Sequence, residues 1–254
     1  MTDIMQRPAP GPDLTLSYGE LPDQVIDLRI PPGIPAPLVV LVHGGFWRPE
    51  RDRTYIAPMA HALAAAGYVV AVPEYRRAGM CEEGWTGTFN DVAAALDQVG
   101  KLAEPHGADL SRTTWVGHSA GGHLVLWAAA RPFLPADCAW HGSCEATQIV
   151  SLAGCNSLRL GAEWNLGDGA AKNLMGGTPD EVPDRYTLAD PAALTPTPLP
   201  VTLVHGSSDT RVPLAMSQAY QAGRLVEVPG ADHLDLVDPL SGAWPHVLAA
   251  IRVP

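Results

Sequence analysis

Ser119 is the residue with the clearest chemical potential, and it lies in the sequence Gly117-His118-Ser119-Ala120-Gly121. This sequence matches G-x-S-x-G, the pattern of a sharp strand-to-helix turn that exposes a nucleophilic serine. A serine hydroxyl is a weak nucleophile at neutral pH, so it needs exposure, a neighbouring base and donors that stabilise an anion. An apolar run precedes the motif and an alanine-rich segment follows it, as such a turn requires. We therefore predict that Ser119 is a catalytic nucleophile; the alternative is an ordinary glycine-rich turn.

A serine nucleophile needs a histidine as base and an acid that orients the histidine. Among nine histidines, His233 alone follows the last predicted strand, in a loop rich in glycine and aspartate. Other histidines precede glycine turns, or lie on or near helices or on an earlier loop. His118 belongs to the serine motif, where its side chain is expected to point away from Ser119. Asp209 follows the preceding strand, so the chain order is serine, aspartate, histidine. We predict that His233 is the base and Asp209 its acid. Asp232 and Asp235 are rival acids, disfavoured because their nearness in sequence hinders an approach to Nδ1 of the histidine.

The sequence His43-Gly44-Gly45-Phe46-Trp47 directly follows a run of apolar residues that predicts a buried strand. Glycines at this point let backbone N–H groups approach a ligand closely. This predicts the second arm of an oxyanion hole, the role of H-G-G-G loops, with Phe46 in place of the third glycine. The alternative is a simple turn. We expect the Phe46 side chain to help wall the acyl pocket and His43 to brace the loop.

Eight strands are predicted from alternating or continuously apolar runs, over residues 13–18, 24–30, 37–43, 68–73, 113–117, 147–154, 200–206 and 224–230. Helical patterns follow over residues 54–66, 89–104, 120–130, 213–222 and 241–251. After the first pair, strands alternate with helices. This predicts an α/β fold with a mostly parallel eight-stranded sheet and helices on both faces.

The length is typical of one α/β domain, so we predict a single domain over residues 1–254. Residues 1–12 are polar and proline-rich, which indicates a mobile leader without a secretory signal. Residues 155–195 are long and irregular for a connection in a compact domain, and they follow the end of a strand. This pattern indicates a small lid or a pocket-forming insertion.

Composition excludes several classes of partner. A content of 46% hydrophobic and 17% charged residues is that of a folded globule, and the net charge of −11 with no basic run argues against nucleic acid or an anionic membrane. No apolar run is long enough to cross a bilayer. The four cysteines show neither C-x-x-C nor zinc spacing, so we predict reduced thiols in a cytoplasmic protein. Motifs for zinc, phosphate loops and dinucleotides are absent, and no cofactor or metal is expected.

The segments HGGFW, GHSAGGHL, HGSSDTRVP and GADHLDL resemble, in order and spacing, the α/β-hydrolase superfamily. The resemblance covers roughly residues 24–252 and is nearest to a branch of small esterases and formamidases that includes the kynurenine formamidases. It implies a serine hydrolase in which the three residues predicted above form the catalytic triad. It also implies that the oxyanion is stabilised by the backbone N–H groups of Ala120 and of Gly45 or Phe46.

These residues predict hydrolysis of a small-molecule ester or amide, most simply by a carboxylesterase. The alternative is an arylformamidase that acts on a substrate such as N-formylkynurenine, because Phe46 and Trp47 beside the oxyanion loop favour the small acyl pocket that a formyl group needs. Trp47, Trp85 and Trp164 are the predicted substrate-binding residues, with Trp140 a further candidate for stacking on an aromatic leaving group. A catalytically silent binder on the same fold is the remaining interpretation, disfavoured because all three triad residues are present.

Overall fold

The computed structural model of the chain describes residues 4–194, 197 and 199–252. Its strands are β1 (Leu14–Ser17), β2 (Val25–Arg29), β3 (Ala36–Val42), β4 (Val69–Pro73), β5 (Ala108–His118), β6 (Gln148–Leu152), β7 (Val201–Gly206) and β8 (Arg224–Val228). They form one sheet in the order β1-β2-β4-β3-β5-β6-β7-β8. β2 is antiparallel to both of its neighbours, and all the other pairs are parallel. The predicted eight-stranded, mostly parallel sheet is confirmed.

Helices cover both faces of this sheet. They are α1 (Ala57–Ala65), α2 (Thr86–Ala103), α3 (Ala120–Ala130), α4 (Leu158–Glu163), α5 (Leu166–Met175), α6 (Pro183–Ala189), α7 (Ala215–Ala219) and α8 (Trp244–Ile251). Successive side chains of β3 enter opposite cores: Leu38 and Val40 pack with α2 and α3, whereas Val39 and Leu41 pack with α1 and α8. A strand buried on both faces must be apolar at consecutive positions, which explains the run over 37–42.

Helix α3 is the element that holds the serine motif in place. Every residue of α3 is buried, as expected of a helix that is hydrophobic on all sides. It packs on β5 and β6 and against α2. Because Ser119 directly precedes this helix, the position of its backbone is set by a fully buried element of the core.

Residues 155–194 are more regular than the sequence predicts, since they contain α4, α5 and α6. Within α5, residues Gly167, Asp168 and Gly169 have left-handed φ angles of 55°, 52° and 78°. This kink interrupts the 3.6-residue periodicity by which a helix is recognised in a sequence. Residue 195, the last of the predicted insertion, lies outside the described residues. Whether the segment acts as a lid stays a prediction.

The predicted mobile leader is packed against the domain over the part that the structure describes. Ile4–Gln6 forms a 3₁₀ turn with Ile4 buried, and Arg7 forms an ion pair with Asp238. The carbonyl groups of residues 10 and 11 accept hydrogen bonds from Arg29 at 2.6 and 2.8 Å. Apolar contacts of Ile4 and Met5 and these charged contacts hold the segment, a combination that its polar composition does not reveal. Residues 1–3 lie outside the described part of the chain.

Two simpler features concern helices and thiols. None of the helices in the described part of the chain is long and apolar enough to cross a membrane. All four cysteines are free thiols in the structure.

Candidate active site

Ser119 lies at a tight turn between β5 and α3, with φ 56° and ψ −118°. This is an unusual backbone conformation for a residue with a side chain, and such strain clusters at functional sites. The flanking glycines permit it. A Cβ on Gly117 would lie 2.1 Å from the carbonyl oxygen of Gly121, and one on Gly121 would lie 2.1 Å from that of Val42. The turn predicted from the motif is therefore present, and it requires glycine at both positions.

His233 and Asp209 lie in the loops that follow β8 and β7, and they are hydrogen-bonded. Nδ1 of His233 lies 2.7 Å from Oδ2 of Asp209, whose side chain is fully buried. The other carboxylate oxygen accepts the backbone N–H groups of Arg211 and Val212, each at 2.9 Å. Burial would raise the pKa of Asp209, but hydrogen bonds from His205, His233 and Val212 hold it below its ordinary value. The carboxylate stays charged and leaves Nε2 of His233 available for proton transfer.

Ser119 and His233 line one cavity of about 420 Å³. This volume is within the range of roughly 300–1,000 Å³ that is usual for small-molecule sites. Within the part of the chain that the structure describes, the Ser119 hydroxyl makes no hydrogen bond to His233 or to any other side chain. Such bonds are often long in unliganded enzymes and shorten when substrate binds. The structure thus brings the predicted nucleophile and base to the same space.

The rival acids Asp232 and Asp235 are engaged in the loop itself. Oδ1 of Asp232 accepts the backbone N–H groups of Leu234 and Asp235 at 2.8 and 3.1 Å. Oδ2 of Asp235 accepts the N–H of Asp232 at 2.8 Å. Both carboxylates shape the turn around His233, whereas the contact with its ring comes from Asp209.

The two loops predicted to form the oxyanion hole are in contact. Gly45 and Phe46 line the cavity of Ser119, and both have positive φ angles, 112° and 53°. Gly44 packs on the serine turn so tightly that an added Cβ would lie 2.8 Å from Cβ of Ser119. Ala120 is the first residue of α3, so its N–H has no acceptor within the helix. Backbone donors from both loops therefore border the serine.

The three tryptophans predicted to bind substrate are not among the described residues that line this cavity. Trp47 is 1% exposed and meets the ring of His123 edge-on, with 5.2 Å between ring centroids. Trp85 borders a separate cavity together with Trp140, and Trp164 is on the surface, 39% exposed. A large aromatic ring stabilises the protein most when it is buried. The nearness of Trp47 to the oxyanion loop in sequence therefore does not place its ring in the cavity.

A chain of buried hydrogen bonds, which sequence reasoning missed, joins the oxyanion loop to His233. The N–H of Gly44 donates to the Tyr55 hydroxyl at 2.7 Å, and that hydroxyl donates to Nδ1 of His118 at 2.8 Å. Nε2 of His118 in turn donates to the carbonyl oxygen of His233 at 3.0 Å. Burial, with the neighbouring charge of His233, keeps the pKa of His118 well below its ordinary value. A neutral ring with its proton on Nε2 fits this chain of donors and acceptors.

His118 also corrects an expectation about direction. Its side chain was expected to point away from Ser119, yet its ring lies 4.6 Å from that of His233, centroid to centroid, and lines the cavity. The position inside the serine motif was the only signal for it, and nothing in the sequence marks Tyr55.

Glu74, directly after β4, holds the start of the oxyanion loop. Its Oε1 accepts from Nε2 of His43 at 2.8 Å and from Arg77, and its Oε2 accepts the N–H of Arg53 at 3.0 Å. Burial would raise the pKa of Glu74, but these hydrogen bonds and charges lower it to about 2. Because His43 directly precedes Gly44, the buried carboxylate braces the loop through His43, in agreement with the structural role expected for that histidine.

The pKa of Glu74 leads to a prediction about acid stability. Its folded value of about 2 lies below the ordinary 4.5, so the unfolded chain binds the proton first. The resulting stabilisation is complete above pH 4.5 and is lost as the pH falls towards 2. At 1.36 kcal/mol per pKa unit, the difference in free energy of unfolding between wild type and Glu74→Gln should shrink by about 3 kcal/mol over that interval. Urea unfolding from pH 6 to 2.5 measures it.

The control for this experiment is Glu227→Gln, which changes an exposed glutamate of β8. We expect its pH dependence to match that of the wild type. Parallel pH curves for wild type and Glu74→Gln would contradict the assignment of acid sensitivity to Glu74.

Characterised proteins resemble this chain over different extents. The esterase LipC of Mycobacterium tuberculosis is 26% identical over 254 residues, which cover 91% of this chain and 62% of LipC. The kynurenine formamidase of Drosophila melanogaster is 33% identical over 98 residues, 38% of this chain and 31% of that protein. The chain thus spans less than two thirds of the length of either relative.

A solved structure, a truncated carbohydrate esterase from gut microbiota, superposes with a TM-score of 0.77 at 19% sequence identity. The match covers 95% of this chain and 99% of that one. This likeness is one of fold, and it confirms the predicted α/β-hydrolase architecture.

A match to a protein family covers the serine motif and Asp209. The model of the BD-FAE family matches residues 26–223 and ends before His233. Since the matched segment makes up more than three quarters of the full sequence, the chain belongs to the BD-FAE family.

Proposed function

We propose that this protein is a serine hydrolase that cleaves a small carboxylic ester through Ser119, His233 and Asp209. The observation that carries the proposal is the shared cavity of Ser119 and His233, together with the 2.7 Å bond from His233 to Asp209. Membership of the BD-FAE family and the similarity to the esterase LipC support it. A binder would have no need of a nucleophile, a base and an orienting acid in one place.

The reaction follows from these roles. Ser119 attacks the ester carbonyl while Nε2 of His233 takes its proton, and the carbonyl electrons move to oxygen. Backbone N–H groups of Ala120 and of Gly45 or Phe46 stabilise that oxyanion. His233 then donates the proton to the departing alcohol, and a water molecule, deprotonated by the same ring, releases the acid and regenerates Ser119. Asp209 keeps the histidine in the required tautomer and stabilises its charged form.

Hydrolysis of an arylformamide is the second candidate. The specific observation in its favour is the similarity to the kynurenine formamidase of Drosophila melanogaster, although that segment is short. Phe46 borders the cavity, and an aromatic ring at the oxyanion loop narrows the space for the acyl group. A formyl group would fit such a space as well as an acetyl group does.

A direct test compares 4-nitrophenyl esters from acetate to dodecanoate with formate release from N-formylkynurenine. We expect turnover of the short esters and a decline as the acyl chain outgrows the cavity of about 420 Å³. Rapid formate release with slow acetate hydrolysis would favour the arylformamidase. Absence of turnover and of labelling by a fluorophosphonate probe in well-folded protein would contradict a serine hydrolase and support a binder.

A further inference from the structure

Three arginines line the cavity that contains Ser119 and His233. They are Arg48, Arg51 and Arg211, and Glu50 is the only acidic residue among the described residues of the lining. The lining therefore carries three cations against one carboxylate. The chain as a whole has the opposite balance, with a net charge of −11. Cationic side chains are thus concentrated at this cavity against the overall composition.

These guanidinium groups form no ion pair with the carboxylates that the structure describes. Elsewhere in the described part of the chain, six arginines pair with carboxylates: Arg7, Arg53, Arg76, Arg77, Arg112 and Arg131. None of the three cavity arginines pairs with a carboxylate of the described residues, including Glu50. Arg51 and Arg211 are also exposed, so their N–H groups can reach an incoming anion.

The backbone of each arginine is tied to a catalytic loop. Arg211 follows Asp209 by two residues, and its N–H donates to the Asp209 carboxylate at 2.9 Å. Arg51 packs beside the oxyanion loop, where a Cβ on Gly45 would lie 2.3 Å from Cβ of Arg51. The N–H of Arg48 donates to the carbonyl oxygen of Gly45 at 3.0 Å, and its guanidinium donates to the carbonyl oxygen of Gly167. The backbone of each arginine is therefore fixed beside the serine.

The charge of Arg211 reaches His118, which lines the same cavity. Besides burial and the charge of His233, the charge of Arg211 contributes to the lowered pKa of His118. A guanidinium presents its N–H groups in a planar fork that matches the two oxygens of a carboxylate. A cavity lined by charges of one sign also concentrates substrates of the opposite sign.

We propose that the substrate is an ester that carries a carboxylate outside the scissile bond, and that Arg51 and Arg211 bind this carboxylate. The proposal rests on the hydrolase function proposed above and names its substrate class. Arg48 adds positive charge to the same wall, with part of its donor capacity used on Gly167.

The test uses two matched pairs of substrates. On the alcohol side, 4-acetoxybenzoate carries the charge and 4-acetoxybenzamide is its neutral isostere. On the acyl side, mono-4-nitrophenyl glutarate is compared with 4-nitrophenyl pentanoate. For each pair, the ratio of kcat/KM for the anionic to the neutral ester is measured in wild type, Arg51→Gln, Arg211→Gln and the double variant. Comparing this ratio between the wild type and a variant cancels the intrinsic reactivity of the esters, because both proteins act on the same pair.

For at least one pair we expect the ratio to fall by about tenfold or more in each single variant, and further in the double variant, as for hydrogen bonds to a charged group. The wild-type ratio should also fall with added NaCl, because salt screens exposed charges. Arg224→Gln is the matched control: it alters an exposed arginine at the amino end of β8, opposite the edge where the site lies, and the ratio should not change.

Unchanged ratios in the arginine variants, with neutral esters still hydrolysed, would overturn this proposal and leave the hydrolase function intact. If the wild type neither hydrolysed any of the four esters nor reacted with a fluorophosphonate probe, the proposed function itself would be refuted.

Discussion

Replacement of Ser119 by alanine is expected to lower kcat for ester hydrolysis by about 10⁴- to 10⁶-fold, to the level left by binding and oxyanion donors alone. The hydroxyl is the attacking group in the proposed mechanism, and no other described serine or cysteine lines the cavity. Covalent labelling by a fluorophosphonate probe should disappear as well. Initial rates with 4-nitrophenyl acetate and mass spectrometry of the labelled protein measure both effects.

Alanine keeps a Cβ at position 119, so the left-handed backbone with φ 56° stays as strained as it is with serine. The thermal stability should therefore change little. Ser143→Ala, which alters an exposed serine in a loop, serves as control and should retain full activity and labelling. Turnover by Ser119→Ala within tenfold of the wild-type rate would show that another residue is the nucleophile.

The second large effect is expected for Asp209→Asn, with a fall in kcat of about 10⁴-fold. The carboxylate accepts a hydrogen bond from the N–H at Nδ1 of His233 and so leaves Nε2 free to take the proton of Ser119. An amide can instead donate to Nδ1, which favours the wrong tautomer, and it removes the negative charge that stabilises the imidazolium. Asparagine also retains an oxygen that can accept the N–H groups of Arg211 and Val212, so the loop should remain folded.

Asp232→Asn and Asp235→Asn are the matched controls, because they change the two rival acids of the same loop. Each of these carboxylates accepts backbone N–H groups, and an amide oxygen can still do so. We expect kcat within a few-fold of the wild type for both variants. A loss of activity for Asp232→Asn or Asp235→Asn as large as that for Asp209→Asn would contradict the assignment of the acid.

Much of the site is encoded locally and could therefore be predicted. The turn at Ser119 depends on two glycines within a few residues, since neither position has space for a Cβ. Asp209 and His233 each follow an apolar run that becomes a strand, and parallel strands bring their carboxyl ends to one edge of the sheet. The local pattern and the order of the strands along the chain were enough to predict that these two residues lie close together. The 2.7 Å bond between them is consistent with that prediction.

Other parts of the site depend on contacts between distant segments. Tyr55 and His118 are 63 residues apart and become neighbours only through the packing of the segment before α1 against the serine turn. The tryptophans illustrate the same limit, because the sequence marks Trp47 as near the oxyanion loop but not that its ring is buried beside His123. That Arg51 and Arg211 pair with no carboxylate in the described part of the chain is also a property of the folded state.

The sequence by itself thus determined the α/β fold, the eight strands of a mostly parallel sheet and the residues of the proposed triad, because periodicity, glycine turns and chain order are local properties. The tertiary structure decided which side chains surround Ser119: it buried Trp47, brought His118 to His233, and left three arginines at the cavity without an acidic partner among the described residues. Burial and ion pairing depend on which distant segments meet, and that information is distributed over the whole chain.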